Sequence, residues 1–424
     1  MTRAETLAVG DEILSGQIAD TNAAYLSRRL GELGIAVTAH HAIGDEQAGI
    51  ETAVREAADK SLSRPGRGEG EGQFILIVTG GLGPTHDDVT REAVAAAAGA
   101  ELVLDTPSLA DIRARFKARG IDMPPSNEKQ AAIPRGADVL PNPVGTAPGF
   151  RVRIGQAFVF VLPGVPGEMK AMFEAAVLPL LPKGEGVIAS RVLNCFGMAE
   201  SAIAELLGAH IDLHGDPRVA FLPVEGIIHV KFTAHAASRV AALARIAPAA
   251  DRAHQLLGDV VFGEDDDSLE DAVVSLLERH NKTLAVAESC TGGLLADRLT
   301  DVSGISRCFL EGLVTYSNEA KTRLLGIPAP LFDTVGAVSE EVARLMAEGV
   351  RSRSHADFGV GITGIAGPTG GTPDKPVGTV HIAVASAART MHRHLTLLGS
   401  RRQVKDRAAK YALNMLRLEP LSIR

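Results

Sequence analysis

Phe74-Ile75-Leu76-Ile77-Val78 is an unbroken run of large apolar residues that stops at Thr79-Gly80-Gly81-Leu82-Gly83-Pro84. So short and so apolar a run reads as a strand covered on both faces, the kind found in parallel sheets flanked by helices. The chain repeats the device. Leu284 to Ala287 gives way to Glu288-Ser289-Cys290-Thr291-Gly292-Gly293, and Asp357 to Thr363 gives way to Gly364-Ile365-Ala366-Gly367-Pro368-Thr369-Gly370-Gly371. Segments with helical spacing, such as Ala23, Leu26, Leu30 and Leu33, lie between the strands. Strands alternating with helices imply an α/β fold with right-handed crossovers, whose ligands bind beyond the carboxyl ends of the strands.

Composition narrows the function. The 424 residues suggest two or three domains, and 46% hydrophobic against 22% charged residues supplies a core for each. Aromatics are 4%, Trp is absent and the formal net charge is −8, which argues against stacking platforms for nucleic acid and against an anionic membrane surface. Cys195, Cys290 and Cys308 show no metal-ligand spacing. The first residues lack the apolar core of a signal peptide and no apolar run is long enough to span a bilayer, so a reducing, cytoplasmic setting is expected.

In the N-terminal part, Thr6 to Val9 is expected as a strand ending in Gly10-Asp11-Glu12. Asp20-Thr21-Asn22 caps a helix, Ile35 to Val37 forms the next strand and Asp45 to Leu62 another helix. Arg64 to Gly72 is a low-complexity surface loop. The Gly80–Asp88 loop, with three glycines and a proline, shapes a backbone nest that can approach phosphates. Asp87 and Asp88 could hold a hard divalent cation against them. The same two residues could simply cap a helix from Val89 to Ala98.

Gly10 to Gly16, Asp20-Thr21-Asn22, Thr79 to Thr90, Asn142 to Gly149 and Leu162 to Met169 together resemble the N-terminal half of the competence/damage-inducible CinA family. That half is itself similar to molybdopterin-binding domains. The resemblance implies a parallel-sheet domain over residues 1–170 that binds ADP-ribose or a related nucleotide, in some members as a metal-dependent pyrophosphatase. Glu12, Asp20, Asn22, Gly80, Gly81, Gly83, Thr85, Asp87 and Asp88 are the candidate ligand contacts. Glu12, Asp87 and Asp88 are the candidate metal ligands. A domain that binds the nucleotide and leaves it intact fits the same residues.

A helix from Glu168 to Leu181 closes the first domain. Over residues 171–262, short strands follow, Arg191 to Phe196, Arg218 to Leu222 and Ile227 to Ala234, with helices Ala199–Leu207 and Ser238–Leu257. This small α+β unit resembles the family's KH-type insert but lacks the Gly-x-x-Gly loop that clamps a nucleic-acid backbone. A spacer or dimer-forming role is expected. Gly263 to Ser268 is an acidic join.

The strand–turn–helix corner at Ser289 suits a serine nucleophile with backbone oxyanion donors or a phosphate cradle, and a helix-capping serine accounts for the same residues. A nucleophile needs a base. His381 lies inside an expected strand, Val377 to Ala385, where a structural role is favoured. Lys321, which could equally be a solvated residue at a helix start, acts as base only if burial or nearby cations leave its amine neutral. Arg401, Arg402, Lys405 and Arg407 gather at a helix start against its dipole, a conflict that an anion such as a phosphomonoester would resolve.

Ala287 to Gly293, Val314 to Lys321, Gly336-Ala337-Val338-Ser339, Gly364 to Gly371 and Lys375 to Val380 resemble the nicotinamide-nucleotide amidase domain of the CinA C-terminus, here residues 263–424. The resemblance implies hydrolysis of nicotinamide mononucleotide to nicotinate mononucleotide and ammonia, with no cofactor for the amidase. By motif, Ser289 is the nucleophile, Lys321 its base and Tyr316 a proton relay. Thr291, Gly292, Gly293, Thr363, Gly364 and Gly367 supply substrate or oxyanion contacts, and Arg401 with Lys405 binds the phosphate. Ser400 stands where Asp is usual, and Lys405 where Arg is common, which weakens bidentate phosphate recognition. Cys290 is read as a packing residue. The alternative is a non-catalytic nucleotide sensor or scaffold in competence or DNA damage. The family suggests a homodimer, with no nucleic-acid or membrane partner.

Overall fold

A computed structural model describes residues 2–63, 73–182 and 186–418. The Arg64–Gly72 segment lies outside them. The chain divides into two compact units, Met1–Ala189 with Ala234–Ala244, and Ser190–Thr233 with Arg245–Arg424.

The first unit is built on a six-stranded sheet in the order Ala36–Ile43, Arg3–Val9, Phe74–Thr79, Ala157–Leu162, Gly149–Ile154 and Asp138–Leu140. The first four strands run parallel and Gly149–Ile154 pairs antiparallel with both its neighbours, so the sheet is mixed where a purely parallel one was expected. Chain length explains the difference. Gly149–Ile154 turns into Ala157–Leu162 through Gly155 and Gln156 alone, with Gly155 at φ +57°. Two residues make a hairpin, whereas a parallel crossover needs a dozen or more.

Phe74–Thr79 is buried throughout. Its side chains alternate between faces. Ile75 and Ile77 pack with Leu26 and Leu30 of the Thr21–Glu32 helix, while Leu76 and Val78 pack with Ile50, Val54 and Val94. Each such aliphatic side chain contributes about 1.5–3 kcal/mol on burial.

The second unit contains a five-stranded sheet, ordered Phe309–Val314, Leu284–Glu288, Phe358–Gly364, Thr379–Ala385 and Thr390–Thr396. The first three strands are parallel, and Thr379–Ala385 pairs antiparallel with both its neighbours. Ala285 and Ala287 face Val342, Met346 and Val350 of the Glu340–Ser354 helix, and Leu284 and Val286 belong to the core on the other face. That helix presses directly on the central strand: a Cβ at Gly359 would lie 2.1 Å from Ala347 O, and one at Gly361 2.4 Å from Ala343 O. Ser289, Thr315 and Ile365 each follow the carboxyl end of one of the parallel strands.

The unit also carries most of a four-stranded sheet, ordered Arg218–Val224, Ile227–Ala236, Val187–Cys195 and Val261–Glu264. The last of these takes in Gly263 and Glu264, which were expected as the start of the acidic join. Instead it pairs antiparallel with Val187–Cys195, and Ser268 ends the join by forming a capping box with Asp271 at the Leu269–Arg279 helix. Among the described residues no helix is long and apolar enough to cross a membrane.

Candidate functional site

Lys321 lies on the Asn318–Leu325 helix, which Ser317 caps by accepting Ala320 N–H at 3.1 Å. Its side chain is not solvated. It is 1% exposed and reaches inward, so that Nζ lies 3.2 Å from Ser289 Oγ, 2.9 Å from Thr315 O and 3.2 Å from Tyr316 O. Burial lowers its pKa from the usual lysine value, against weaker opposing pulls from Cys290 and Glu319. An ammonium would donate to all three oxygens. A neutral amine would give its two N–H groups to the carbonyls, which only accept, and could turn its lone pair to the Ser289 hydroxyl. Ser289 is itself 9% exposed, with its N–H held by Ile362 O at 2.9 Å.

The buried Glu288 carboxylate, which the sequence reading passed over, accepts Leu295 N–H at 3.0 Å and Ala296 N–H at 2.8 Å. The first-turn donors expected to point at a ligand are therefore spent, as is Gly292 N–H on Ser289 O at 3.1 Å. The signal was a charged residue in an otherwise apolar strand.

Arg401 joins two of the expected residues, donating to Gly367 O at 2.7 Å and to the Tyr316 hydroxyl at 3.2 Å. Tyr316 thus gives Lys321 its carbonyl, not its hydroxyl, and no relay contact forms between the phenol and the amine. A Cβ at Gly292 would lie 3.5 Å from Lys405 Nζ, which sets the Lys405 cation over the Ser289 turn. Gly292 and Gly293, at φ +64° and +93°, allow that turn. A Cβ at Gly364 would meet Cys290 Sγ at 3.1 Å and Thr379 O at 2.7 Å, so Gly364 permits close packing.

Thr363 corrects the reading: its hydroxyl donates to Ala337 O at 2.7 Å, tying down the Gly336–Ser339 turn and leaving no donor for substrate. Lys375 ties the same turn, donating to Val335 O at 2.7 Å and Val338 O at 2.8 Å. Ser400 accepts Gln403 N–H at 3.4 Å while Gln403 Oε1 accepts Ser400 N–H at 2.8 Å, a capping box that gives the departure from Asp a role. Burial pushes the Cys290 thiol up to about 12, which disfavours a thiolate. His381 stacks on His394 with centroids 4.6 Å apart, and burial, with its histidine neighbours, pushes its pKa down to about 4.

In the first unit, Glu12, Asp20, Asn22, Gly80, Gly81, Gly83, Thr85, Asp87 and Asp88 all line one cleft of about 600 Å³, together with Asp45, Gln130, Gly164 and Glu168, which the sequence reading missed. Asp87 and Asp88 do not cap the following helix, whose N-cap is Val89 with no side-chain bond. Asp88 instead folds the loop, accepting Gly83 N–H at 2.7 Å, Thr85 N–H at 2.9 Å and the Thr85 hydroxyl. Asp20 caps the Thr21–Glu32 helix through Ala23 N–H at 2.9 Å, and Asn22 donates to Gly164 O at 2.8 Å. Burial, with the Asp11, Glu12 and Asp87 charges, raises the Asp45 pKa.

Among the described residues no three His, Cys, Asp or Glu side chains are grouped to hold a metal ion. The expected set of Glu12, Asp87 and Asp88 is therefore not assembled as a cage, because the Asp88 oxygens are occupied by the loop.

Three family models match the chain: "Probable molybdopterin binding domain" over residues 5–183, "Damage-inducible protein CinA KH domain" over 190–263 and "CinA C-terminal domain" over 266–419. A CinA-like protein of Frankia casuarinae is 45% identical, covering 98% of this chain and 95% of that protein. Another from Anaeromyxobacter sp. is 44% identical over 98% of each. The crystal structure of competence/damage inducible protein CihA from Agrobacterium tumefaciens is similar at 39% identity and TM-score 0.35, covering 35% of this chain and 91% of that one. Identity at this level along nearly the whole length, with the three domain matches in order, makes the chain a member of the CinA family.

Proposed function

We propose that the second unit is a Ser/Lys amidase that hydrolyses nicotinamide mononucleotide to nicotinate mononucleotide and ammonia. The observation that carries this reading is the 3.2 Å approach of Lys321 Nζ to Ser289 Oγ, with two carbonyls engaging the amine's other valences. Ser289 Oγ attacks the carboxamide carbon as its proton passes to Lys321. The lysine then gives that proton to the departing nitrogen, ammonia leaves and an ester to Ser289 remains. Water attacks the ester, Lys321 takes a proton again, and the nicotinate carboxyl departs as the serine hydroxyl is restored. Arg401 and Lys405 lie at the rim of this turn as cations for the 5′-phosphate.

The first-unit cleft is read as a site for ADP-ribose or a related nucleotide, its diphosphate on the Gly80–Asp88 loop. Among the described residues the carboxylates of this cleft do not form a cage for a metal ion. A cytoplasmic setting fits this reading, and among the described residues no helix is long and apolar enough to cross a membrane.

Purified protein incubated with nicotinamide mononucleotide should release ammonia in the presence of a chelator. Binding without turnover would favour the rival reading, a nucleotide sensor or scaffold. AMP release from ADP-ribose, measured with and without a divalent cation, decides whether the first cleft cleaves its ligand.

A further inference from the structure

Among the described residues, the buried side-chain nitrogens and oxygens without a hydrogen-bond partner belong to Asn22, Thr90, Arg91, Glu92, Thr291 and Thr315 alone. Thr291 and Thr315 flank the Ser289–Lys321 pair. Asn22 lines the first-unit cleft, and Thr90, Arg91 and Glu92 open the Thr90–Ala98 helix that follows its loop. Native proteins pair nearly all buried polar atoms, and they break that rule where a ligand or a function compensates.

Arg91 is the extreme case. Its side chain is 0% exposed, and it donates through Nη2 to Leu82 O at 2.5 Å, while Nε and Nη1 have no partner. Arginine is almost never fully buried unless paired, and a desolvated, unpaired cation is costly. Glu92 and Asp88 pull its pKa upward, yet burial wins and lowers it to about 10.

What lies in front of the guanidinium is the loop. Leu82, whose carbonyl it holds, lines the cleft with Gly81 and Gly83. A Cβ at Gly81 would lie 2.1 Å from Thr90 Oγ1, so the loop backbone rests directly on the start of the Thr90–Ala98 helix that carries Arg91. The cation therefore sits behind the loop that forms the cleft wall. In a low-dielectric interior its field acts across such a distance far more strongly than in water.

We propose that Arg91 is a positioning residue for an anionic ligand: it fixes the loop through Leu82 O and supplies from behind the positive charge that draws a diphosphate onto the loop. This deepens the nucleotide reading of the cleft and rests on it. A lone structural arginine would stabilise the fold. Here two buried guanidinium donors have no hydrogen-bond partner, and the Glu92 and Asp88 carboxylates offset the burial of the charge only in part, so an anion on the loop would add to its compensation.

The test measures binding of inorganic pyrophosphate, ADP-ribose and adenosine to the full chain by calorimetry, alongside thermal unfolding, for wild type, Arg91→Met and Arg91→Lys. Arg91→Met should bind pyrophosphate and ADP-ribose about tenfold or more weakly, the span of one charge-assisted contact. Its adenosine binding should not change, and its unfolding midpoint should be equal or higher. Arg91→Lys should recover much of the lost affinity. Unchanged pyrophosphate affinity in Arg91→Met overturns the inference, as does a variant that misfolds or loses all three ligands together with stability, since those are marks of a strut. A wild type that binds pyrophosphate but not ADP-ribose would end the nucleotide reading and leave Arg91 to be judged on pyrophosphate. A wild type that binds neither ends both.

Discussion

The carboxylate of Glu288 accepts the backbone N–H of Ala296 at 2.8 Å, and through this bond and its twin to Leu295 the residue before the candidate nucleophile fastens the strand to the helix that follows. Glu288→Ala would bury two N–H groups without an acceptor, at a cost of about 2–4 kcal/mol. Glu288→Gln keeps one acceptor and the shape, and should cost about half as much. Urea unfolding measures both. An unchanged midpoint for Glu288→Ala would show that the corner is held by something else.

With Lys321 as the proposed base, ammonia release should depend on pH in a definite direction. The neutral amine would be the working form, so the rate should fall as pH drops through the lowered pKa. In stability the folded state holds this proton less tightly than the unfolded chain does. Stability therefore grows with pH between the lowered folded value and the ordinary value of 10.5. Lys321→Met should abolish ammonia release and flatten that stretch of the stability curve. A wild-type rate that does not fall toward low pH anywhere below the ordinary lysine value would count against the neutral base.

Asp88 is tied to the loop rather than free in the cleft, so Asp88→Ala should weaken nucleotide binding equally with or without divalent cation. Calorimetry with ADP-ribose in chelator and in magnesium gives the comparison. If the loss occurs only in magnesium, Asp88 is a metal ligand after all.

Thr363 and Arg401 should separate by kinetics. Thr363→Val loses the bond to Ala337 O, costs about 1 kcal/mol of stability and changes kcat/KM by less than about tenfold. Arg401→Ala removes a cation from the phosphate end and should raise KM by about tenfold or more with a smaller effect on kcat. Equal effects in the two variants would place Thr363 against substrate.

The alternation of buried strands and glycine-rich turns was legible in the residues because it is a local pattern of apolarity and backbone freedom. So was the pairing of Ser289 with Lys321, though only through motif, since the two lie thirty-two positions apart and the fold brings them together. The antiparallel edges were less legible, as an apolar strand looks alike in either direction and only the Gly155 turn gave a clue. Side-chain assignments inside the motifs fared worst. Thr363, Asp88 and Glu288 have the chemistry of ligand contacts, but each is spent on backbone, and sequence does not reveal which acceptor a buried donor will find. Arg91 gave no warning, being one more charged residue at a helix start.

The most direct measurement is the rate of ammonia release from saturating nicotinamide mononucleotide by Ser289→Ala, with the fold and ligand binding checked on the same preparation. The account expects wild type to release ammonia and the variant to bind the nucleotide with no release above background. A correctly folded variant that keeps a near-wild-type rate would contradict it.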